Sequence, residues 1–163
     1  MTVTTTMPTP VDDLVLFADD DGLRAVLWPG DGIPTGFGLH DARPDDDHPV
    51  LRETRRQLEE YFAGTRQEFD LPLAPTGTAF QHSAWAVLRT IPFGATISYG
   101  EQARRLGDPR KARAVGSANG RNPIPIIVPC HRVLGATGLG GFSAPGGVET
   151  KAALLRHEGA LLL

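Results

Sequence analysis

Three prolines within seven residues, Pro123, Pro125 and Pro129, constrain this chain more than any other feature of its sequence. Because a proline ring fixes φ and removes a backbone donor, the run is expected to be extended and rigid. The apolar residues 126–128 between the prolines predict a buried, strand-like stretch. Such a stretch delivers the residue that follows the last proline, Cys130, to a fixed place in the fold.

Cys130 is the only cysteine of the chain. A single cysteine excludes an internal disulfide and any zinc site that needs two cysteines, so we expect no metal and no cofactor. A reducing cytoplasm is the simplest setting for a free thiol. A lone cysteine is more often an inert buried residue than a nucleophile. The rigid lead-in and the neighbouring His131 and Arg132 favour the nucleophile.

Other thiol chemistries fit this sequence poorly. A thioredoxin-type pair needs a second cysteine three residues away, and the chain has none. The arginine of a Cys-based phosphatase loop is also missing at its spacing. A cysteine protease needs a remote histidine with an orienting Asn or Asp, for which His40 and His82 are unsupported candidates.

Charge divides the chain into two halves that meet at the connector Leu71–Pro75. Residues 1–74 carry a net charge of −9 and residues 75–163 a net charge of +6, which together give −3. A basic half suggests a polyanionic partner, although chance together with one acidic solubilising domain explains the split equally well. We place the domain boundary at the connector. No apolar run reaches the ~18 residues of a membrane helix, so no membrane partner is expected.

The first half, residues 1–74, predicts a small α/β domain with an acidic surface. Apolar runs 14–17 and 23–27 flank an Asp-Gly turn, which is typical of a β-hairpin. A further short strand is expected near Gly36–Leu39, and residues 51–63 have helical spacing of apolar side chains. The Thr- and Pro-rich residues 1–10 are expected to be a frayed tail. No residue of this half suggests catalysis.

The second half, residues 75–163, predicts a helical domain. Thr78 with Gln81 and Ser98 with Glu101 form two capping-box patterns, each at the start of a helix. The second of these helices ends at Gly107, and Asp108-Pro109 starts another that is expected to continue to about Ala118. Two short helices joined by a Gly-Asp-Pro turn indicate a helix-turn-helix.

The second helix of that pair is unusually rich in small side chains, namely Ala112, Ala114, Gly116, Ser117 and Ala118. A surface helix without bulk can enter a DNA minor groove, which is only about 6 Å wide. Arg113 is the long side chain that could reach into the base stack, and Arg110, Lys111 and Arg121 could contact phosphates. Close helix packing inside the protein is the alternative, but three basic residues within four positions argue for an exposed face.

The residues Asn122-Pro123 through Pro129-Cys130-His131-Arg132-Val133 resemble the active-site signature of O6-alkylguanine-DNA alkyltransferases. The resemblance covers most of the chain and includes further motifs, namely Phe80-Gln81, Ile91-Pro92-Phe93-Gly94, Ser98-Tyr99, Arg113-Ala114-Val115-Gly116 and Leu154 through Gly159. It implies an α+β fold: an RNase H-like N-terminal α/β domain and a C-terminal helical domain with a winged-helix-like helix-turn-helix. It also implies a monomer that binds double-stranded DNA containing O6-alkylguanine through the minor groove.

The resemblance implies a role for each matching residue. Cys130 accepts the alkyl group, His131 takes the thiol proton through a water, and Glu158 orients and charges His131. Tyr99 protonates guanine at N3 and Asn122 braces the active-site turn. Arg113 fills the gap left by the flipped nucleotide, and the carbonyls of Cys130 and Val133 read the exocyclic amine of guanine. Pro125, Val133, Phe142 and Ser143 are expected to line the pocket.

Two alternatives stay open at the level of sequence. Glu158, in the last turn before Gly159, is on its own more typical of an exposed helix end than of a catalytic group. The whole chain could also be a non-catalytic binder or regulator that recognises alkylated DNA.

The loop 142–147 departs from the pattern of many relatives: Phe142 lacks the hydroxyl of the usual tyrosine, and Ala144-Pro145 are inserted. The resemblance, with Cys130 retained, favours an irreversible, single-turnover alkyltransferase.

Overall fold

A computed structural model describes residues 1–29, 39–135, 138–140 and 147–161. The chain divides into two compact units, Met1–Thr76 and Gly77–Leu163. In the described residues, no helix combines the length and the apolar character that a membrane crossing requires.

Within its described residues, 1–29 and 39–76, the first unit has a four-stranded sheet and one α-helix. Its strands are β1 (Val3–Met7), β2 (Leu14–Asp19), β3 (Gly22–Leu27) and β4 (Arg43–Pro44), in the order β3-β2-β1-β4. β2 and β3 form the predicted antiparallel hairpin, and β4 runs parallel to β1. Helix α1 (Pro49–Phe62) covers the sheet and ends before Gly64, whose φ of 83° is a glycine conformation.

The expectation of a frayed N-terminus was wrong, because β1 lies inside the sheet between β2 and β4. Its side chains alternate in the period of two that a half-buried strand requires, with Val3, Thr5 and Met7 buried. The threonines within this strand and the prolines after it concealed the pattern. The predicted strand near 36–39 lies outside the described residues apart from Leu39, which is buried.

The connector is attached to the first unit. The N–H of Leu23 donates to the carbonyl of Pro72 over 2.8 Å, and the N–H of Ala74 donates to the carbonyl of Leu23 over 2.8 Å. Gly22 passes so close to Pro72 that a Cβ would lie 2.5 Å from its carbonyl oxygen, so only glycine fits there. Residues 72–74 therefore form an extended edge beside β3.

The second unit contains α2 (Ala79–Leu88), α3 (Tyr99–Arg105), α4 (Ala112–Gly120) and α5 (Val148–His157). Thr78 and Gln81 form the predicted capping box of α2. Ser98 caps α3 through the N–H of Glu101, while the Glu101 carboxylate pairs with Arg104 and Arg105. Asp108 also caps as predicted, but Pro109–Lys111 is a 3-10 turn, and the α-helix proper begins only at Ala112.

A buried pair of side-chain amides fixes α3 against α4. Gln102 Nε2 donates to Asn119 Oδ1 over 3.0 Å, and Asn119 Nδ2 donates to Gln102 Oε1 over 2.8 Å. Gln102 also donates to the carbonyl of Ala84 in α2, and Trp85 Nε1 donates to the carbonyl of Ala118 over 2.9 Å. All of these polar groups are satisfied, so the contacts specify one arrangement of the three helices.

A two-stranded parallel pair that the sequence did not reveal connects two distant segments. β5 (Ile97–Ser98) pairs with β6 (Val133–Leu134), with Ile97 opposite Val133. β5 leads directly into Tyr99 and β6 directly follows the 3-10 turn Cys130–Arg132. The pair therefore brings the start of α3 next to the segment that carries the cysteine.

Candidate active site

The proline-rich segment before Cys130 is buried, as predicted, but it is not a strand. It folds into successive turns: the N–H of Val128 donates to the carbonyl of Ile124, and the N–H of Ile127 donates to that of Pro125. Ile126 adopts a φ of 73°, which is costly for a β-branched residue and marks local backbone strain. The error arose because three φ angles fixed by proline do not specify the ψ angles between them.

The side-chain amide of Asn122 closes this turn from both sides. Its Nδ2 donates to the carbonyl of Val128 over 2.8 Å, and its Oδ1 accepts the N–H of Ile124 over 3.0 Å. One amide thus satisfies the N–H of Ile124 and adds a second donor to the carbonyl of Val128, which also accepts the N–H of Cys130 over 2.8 Å. This geometry is what the predicted bracing role of Asn122 requires.

Cys130 begins a 3-10 turn and is partly exposed, while His131 and Arg132 behind it are buried. Burial of the thiol raises the pKa of Cys130. The hydrogen bond from Asn122, the positive charge of Lys151 and the backbone N–H groups of residues 130 and 131 act in the opposite direction on that pKa. Burial outweighs these contributions, so the thiol is the resting form, while the donors and the cation reduce the cost of forming the thiolate.

His131, Glu158 and Arg132 form a buried cluster of charged and ionisable groups. His131 Nε2 lies 2.8 Å from Glu158 Oε2. Arg132 donates from Nε to Glu158 Oε1 over 2.8 Å and from Nη2 to Oε2 over 2.9 Å. Glu158 is 4% exposed, so the reading of it as a solvated helix end is wrong. Its carboxylate is paired on both oxygens, as a buried charge must be.

The other ring nitrogen of His131, Nδ1, is buried and has no hydrogen-bond partner among the described residues. A carboxylate at Nε2 favours the tautomer with its proton on Nε2, which leaves Nδ1 as an acceptor. Burial lowers the pKa of His131, the carboxylate of Glu158 raises it, and the charges of Arg132 and Lys151 lower it further. The imidazole is thus arranged to receive a proton at Nδ1.

Tyr99 reaches the site from the first residue of α3. Burial raises the pKa of its phenol, and the nearby Cys130 raises it further, so the hydroxyl keeps its proton. Its ring lies beside Gly116 of α4 and Gly140. A Cβ on Gly140 would come within 3.0 Å of the phenol oxygen, and Gly140 has a φ of 78°. A side chain at position 140 would therefore displace Tyr99.

Lys151 is a site residue that the sequence reasoning missed. It is fully buried in α5, and its Nζ donates to the carbonyl of Val133 over 2.7 Å and lies 5.8 Å from the centre of the Tyr99 ring. Burial lowers the pKa of Lys151, while Cys130 raises it. Helical spacing offered a signal, because Lys151 lies on one face with the buried Leu154, Leu155 and Glu158.

Arg132 was noted only as a neighbour of the cysteine, yet it makes more polar contacts in the cluster than His131 does. Its Nη1 also donates to the carbonyl of Ile91 over 2.6 Å, and its guanidinium lies 5.9 Å from the centre of the Phe93 ring. The motif Ile91–Gly94 therefore covers the arginine. No local sequence pattern indicates a contact between residues 41 positions apart.

The small-residue helix presents the predicted face to solvent. Arg113, Ala114 and Ser117 of α4 are exposed, Ala112 and Gly116 are half-buried, and Val115 and Ala118 face the core. The flanking Arg110, Lys111 and Arg121 are exposed as well. Arg110 is paired with Asp108. The alternative that this whole helix packs inside the protein is wrong.

The predicted pocket residues are only partly described. Pro125 and Val133 are buried beside the cysteine turn. The carbonyls of Cys130 and Val133 already accept the N–H of Val133 and the ammonium of Lys151, and each keeps a second lone pair. Phe142 and Ser143 lie outside the described residues. Within the described ranges, no group of three or more His, Cys, Asp or Glu side chains could hold a metal ion.

The second unit thus places the buried His131–Glu158 pair next to Cys130 and presents α4, with Arg113, to solvent. These features define a thiol-dependent protein with a nucleic-acid-binding face. Residues 79–160 match the 6-O-methylguanine DNA methyltransferase DNA binding domain, and residues 2–75 match the ribonuclease-like domain of the same family. The chain belongs to the 6-O-methylguanine DNA methyltransferase family. The predicted family and the predicted α+β fold class are therefore confirmed.

Individual relatives resemble the chain over nearly its whole length. It is 45% identical to the methylated-DNA–protein-cysteine methyltransferase of Methanosarcina acetivorans over 93% of this chain and 94% of the relative. The crystal structure of the Mycobacterium tuberculosis O6-methylguanine methyltransferase superimposes with a TM-score of 0.87 at 42% identity, covering 98% of this chain and 94% of the other. Mycobacterium tuberculosis OGT in complex with DNA gives a TM-score of 0.82 at 43% identity, with coverages of 95% and 91%.

Proposed function

We propose that this chain repairs DNA by moving an alkyl group from O6 of guanine to its own Cys130, irreversibly and once per molecule. The observation that carries the proposal is the position of Cys130, at a constrained turn with the buried His131–Glu158 pair directly behind it. The relatives that bear the name methylated-DNA–protein-cysteine methyltransferase support the same activity. We expect the protein to act as a monomer in the cytoplasm.

In the proposed reaction, the sulfur of Cys130 attacks the saturated carbon of the alkyl group. A carbon–sulfur bond forms while the bond from that carbon to O6 breaks, and the bonding electrons stay with guanine. His131 accepts the thiol proton through a water, and Glu158 stabilises the imidazolium that results. Tyr99 gives a proton to N3 of guanine, which leaves a phenolate and, on His131, an imidazolium. The imidazolium then loses its proton to solvent and the phenolate regains one from solvent, so the net proton transfer runs from the thiol to the released base.

The base has to leave the duplex before Cys130 can reach it. We propose that α4 enters the minor groove with its small residues Ala112, Ala114, Gly116 and Ser117, and that Arg113 occupies the space of the extruded nucleotide. Arg110, Lys111 and Arg121 would contact phosphates, and the exposure of all three supports this role.

The extruded guanine would then lie against the cysteine turn. Pro125 and Val133 would form part of its pocket, with Phe142 and Ser143 closing it from the loop after the signature. The carbonyls of Cys130 and Val133 would accept the exocyclic amine of guanine through their second lone pairs. Asn122 would keep the turn, and hence the sulfur, in place during the attack.

Mass measurement of the intact protein and its peptides tests the proposal. After incubation with a duplex containing O6-methylguanine, we expect a gain of one methyl group on the Cys130 peptide and release of an equal amount of repaired strand. Cys130→Ala is the matched control, and it should bind the methylated duplex without gaining mass. A native protein that binds the duplex yet gains no mass would instead be a non-catalytic binder of alkylated DNA.

A further inference from the structure

Arg132 makes several polar contacts within the buried cluster, yet the proposed reaction gives it no role. It makes two hydrogen bonds to the two oxygens of Glu158, one to the carbonyl of Ile91, and a contact with the face of Phe93. It is 5% exposed. A guanidinium that uses its fork on one carboxylate forms the strongest kind of ion pair available to a protein.

Glu158 Oε2 is shared between two partners. It accepts from Arg132 Nη2 over 2.9 Å and lies 2.8 Å from His131 Nε2. A carboxylate that already faces a permanent cation stabilises a second cation less, because the net charge of the pair is near zero. The effect of Glu158 on His131 therefore depends on how completely Arg132 occupies the carboxylate.

We propose that Arg132 is a positioning residue for the alkyl transfer: by holding Glu158 in a two-point pair, it limits how firmly His131 holds an added proton. The proposal rests on the proposed function, in which His131 must receive the thiol proton and therefore has to be unprotonated beforehand. Without Arg132, the full charge of Glu158 would act on the imidazole and retain a proton there.

The other charged groups around His131 are consistent with this assignment. Glu158 and Lys151 reach it from α5, and Arg132 reaches it from its own turn. Of these three, only Glu158 favours the protonated ring, while both cations oppose it. The thiol of Cys130 and the phenol of Tyr99 are the other titratable groups of the site. Arg132 pairs with both oxygens of the Glu158 carboxylate, so it is placed to control the effect of that carboxylate on His131.

The motif Ile91–Gly94, which has no part in the proposed reaction, holds Arg132 in place. Ile91 offers the carbonyl that holds the third donor of Arg132, and Phe93 covers the guanidinium. Gly94, at a φ of 84°, passes near the end of α5, where a Cβ would lie 3.3 Å from the carbonyl oxygen of Glu158. The loop thus fixes the arginine at the distance where its fork meets the carboxylate.

The test measures the titration of His131 by NMR in protein with labelled histidine, without DNA. Arg132→Met removes the cation and keeps an apolar stem, and we expect the midpoint of His131 to rise by about one pH unit or more. Arg132→Lys keeps the charge but loses the fork, so its midpoint should rise by a smaller amount. Arg104→Met, which removes an exposed cation elsewhere in the unit, is the control and should leave the midpoint unchanged.

The pH profile of alkyl transfer provides the second readout. Its acid limb should move to higher pH in the same order, Arg132→Met beyond Arg132→Lys, because the base is then protonated over a wider range. If Arg132→Met does not fold, the midpoint of the His131 titration in Arg132→Lys becomes the test of the role of Arg132. A midpoint at the native position in the folded variants would overturn the role of Arg132. Absence of methyl gain by the native protein would overturn the proposed function instead, whatever the NMR midpoints.

Discussion

The charges of the second unit lie in two contrasting environments. Behind Cys130, His131, Arg132, Lys151 and Glu158 are buried and each is held by hydrogen bonds to fixed partners. On α4 and its flanks, Arg113, Arg110, Lys111 and Arg121 are exposed. Buried charges are costly to remove from water and need partners held in place. Exposed charges are screened by salt but stay accessible to a charged partner that approaches them. The first set is suited to proton transfer and the second to recognition of a polyanion.

The largest difference between the two environments should appear in stability. Glu158→Gln leaves Arg132 facing a neutral amide in the interior, and we expect a loss of about 3–5 kcal/mol in the free energy of unfolding. Glu101→Gln is the matched exposed change, since Glu101 pairs with Arg104 and Arg105 at the surface of α3. Urea denaturation of both variants checks this, and equal losses would mean that the buried cluster is not special.

The reactivity of the Cys130 thiol should depend on the buried Lys151 and not on the exposed Lys111. Lys151→Met removes the cation that lowers the pKa of Cys130, so the thiolate fraction at neutral pH should fall by roughly tenfold, equivalent to about one pH unit. Lys111→Met removes an exposed lysine at the start of α4 and should have no such effect. The rate of iodoacetamide labelling of Cys130 measures both, and a native rate in Lys151→Met would exclude this electrostatic role.

The proposed role of Arg113 in base extrusion should be separable from the chemical step of alkyl transfer. Arg113→Ala should reduce alkyl transfer from duplex DNA by roughly tenfold, or about 1.4 kcal/mol, because nothing then fills the gap in the stack. Transfer from free O6-benzylguanine should stay near the native rate, since no stack has to be opened. Single-turnover rates with the two substrates provide the measurement, and an equal loss on both would contradict the proposed role of Arg113.

The smallest expected effect concerns phosphate contacts. Removing one contact with Arg121→Ala should reduce the slope of log affinity against log salt by about 0.9. Fluorescence anisotropy of a labelled duplex across a salt series measures that slope. Arg104→Ala, at the exposed end of α3, is the comparison. A full native slope in Arg121→Ala would remove this residue from the proposed interface.

Local signals allowed much of the fold to be predicted. The hairpin of β2 and β3, the capping box at Thr78 and the cap at Asp108 all follow from short-range chemistry, and all three are present. The exposed face of α4 followed from the three basic residues Arg110, Lys111 and Arg113 at its start. Cys130 and His131 were indicated by the rigid proline run and by their adjacency, whereas Glu158, Tyr99 and Asn122 came from the family resemblance. The roles of all five remain predictions, although the structure places each of them in the second unit around one turn.

The remainder depends on contacts between distant parts of the chain. The position of β1 inside the sheet depends on its pairing with β2 and β4. The parallel pair of β5 with β6 and the contact of Arg132 with Ile91 have no local signature. The turns at 124–128 required ψ angles that proline does not fix. Lys151 could have been found, because its spacing from Leu154, Leu155 and Glu158 is helical and one-sided.

The indole of Trp85, held by the carbonyl of Ala118 near the end of α4, has a practical consequence. The chain has two tryptophans, Trp28 in the first unit and Trp85 in the second, and both are buried. Trp28→Phe would leave a single tryptophan whose emission reports on the contact between α2 and α4. Occupation of the helix by DNA, and any loosening of it after Cys130 is alkylated, could then be followed in real time without an added dye.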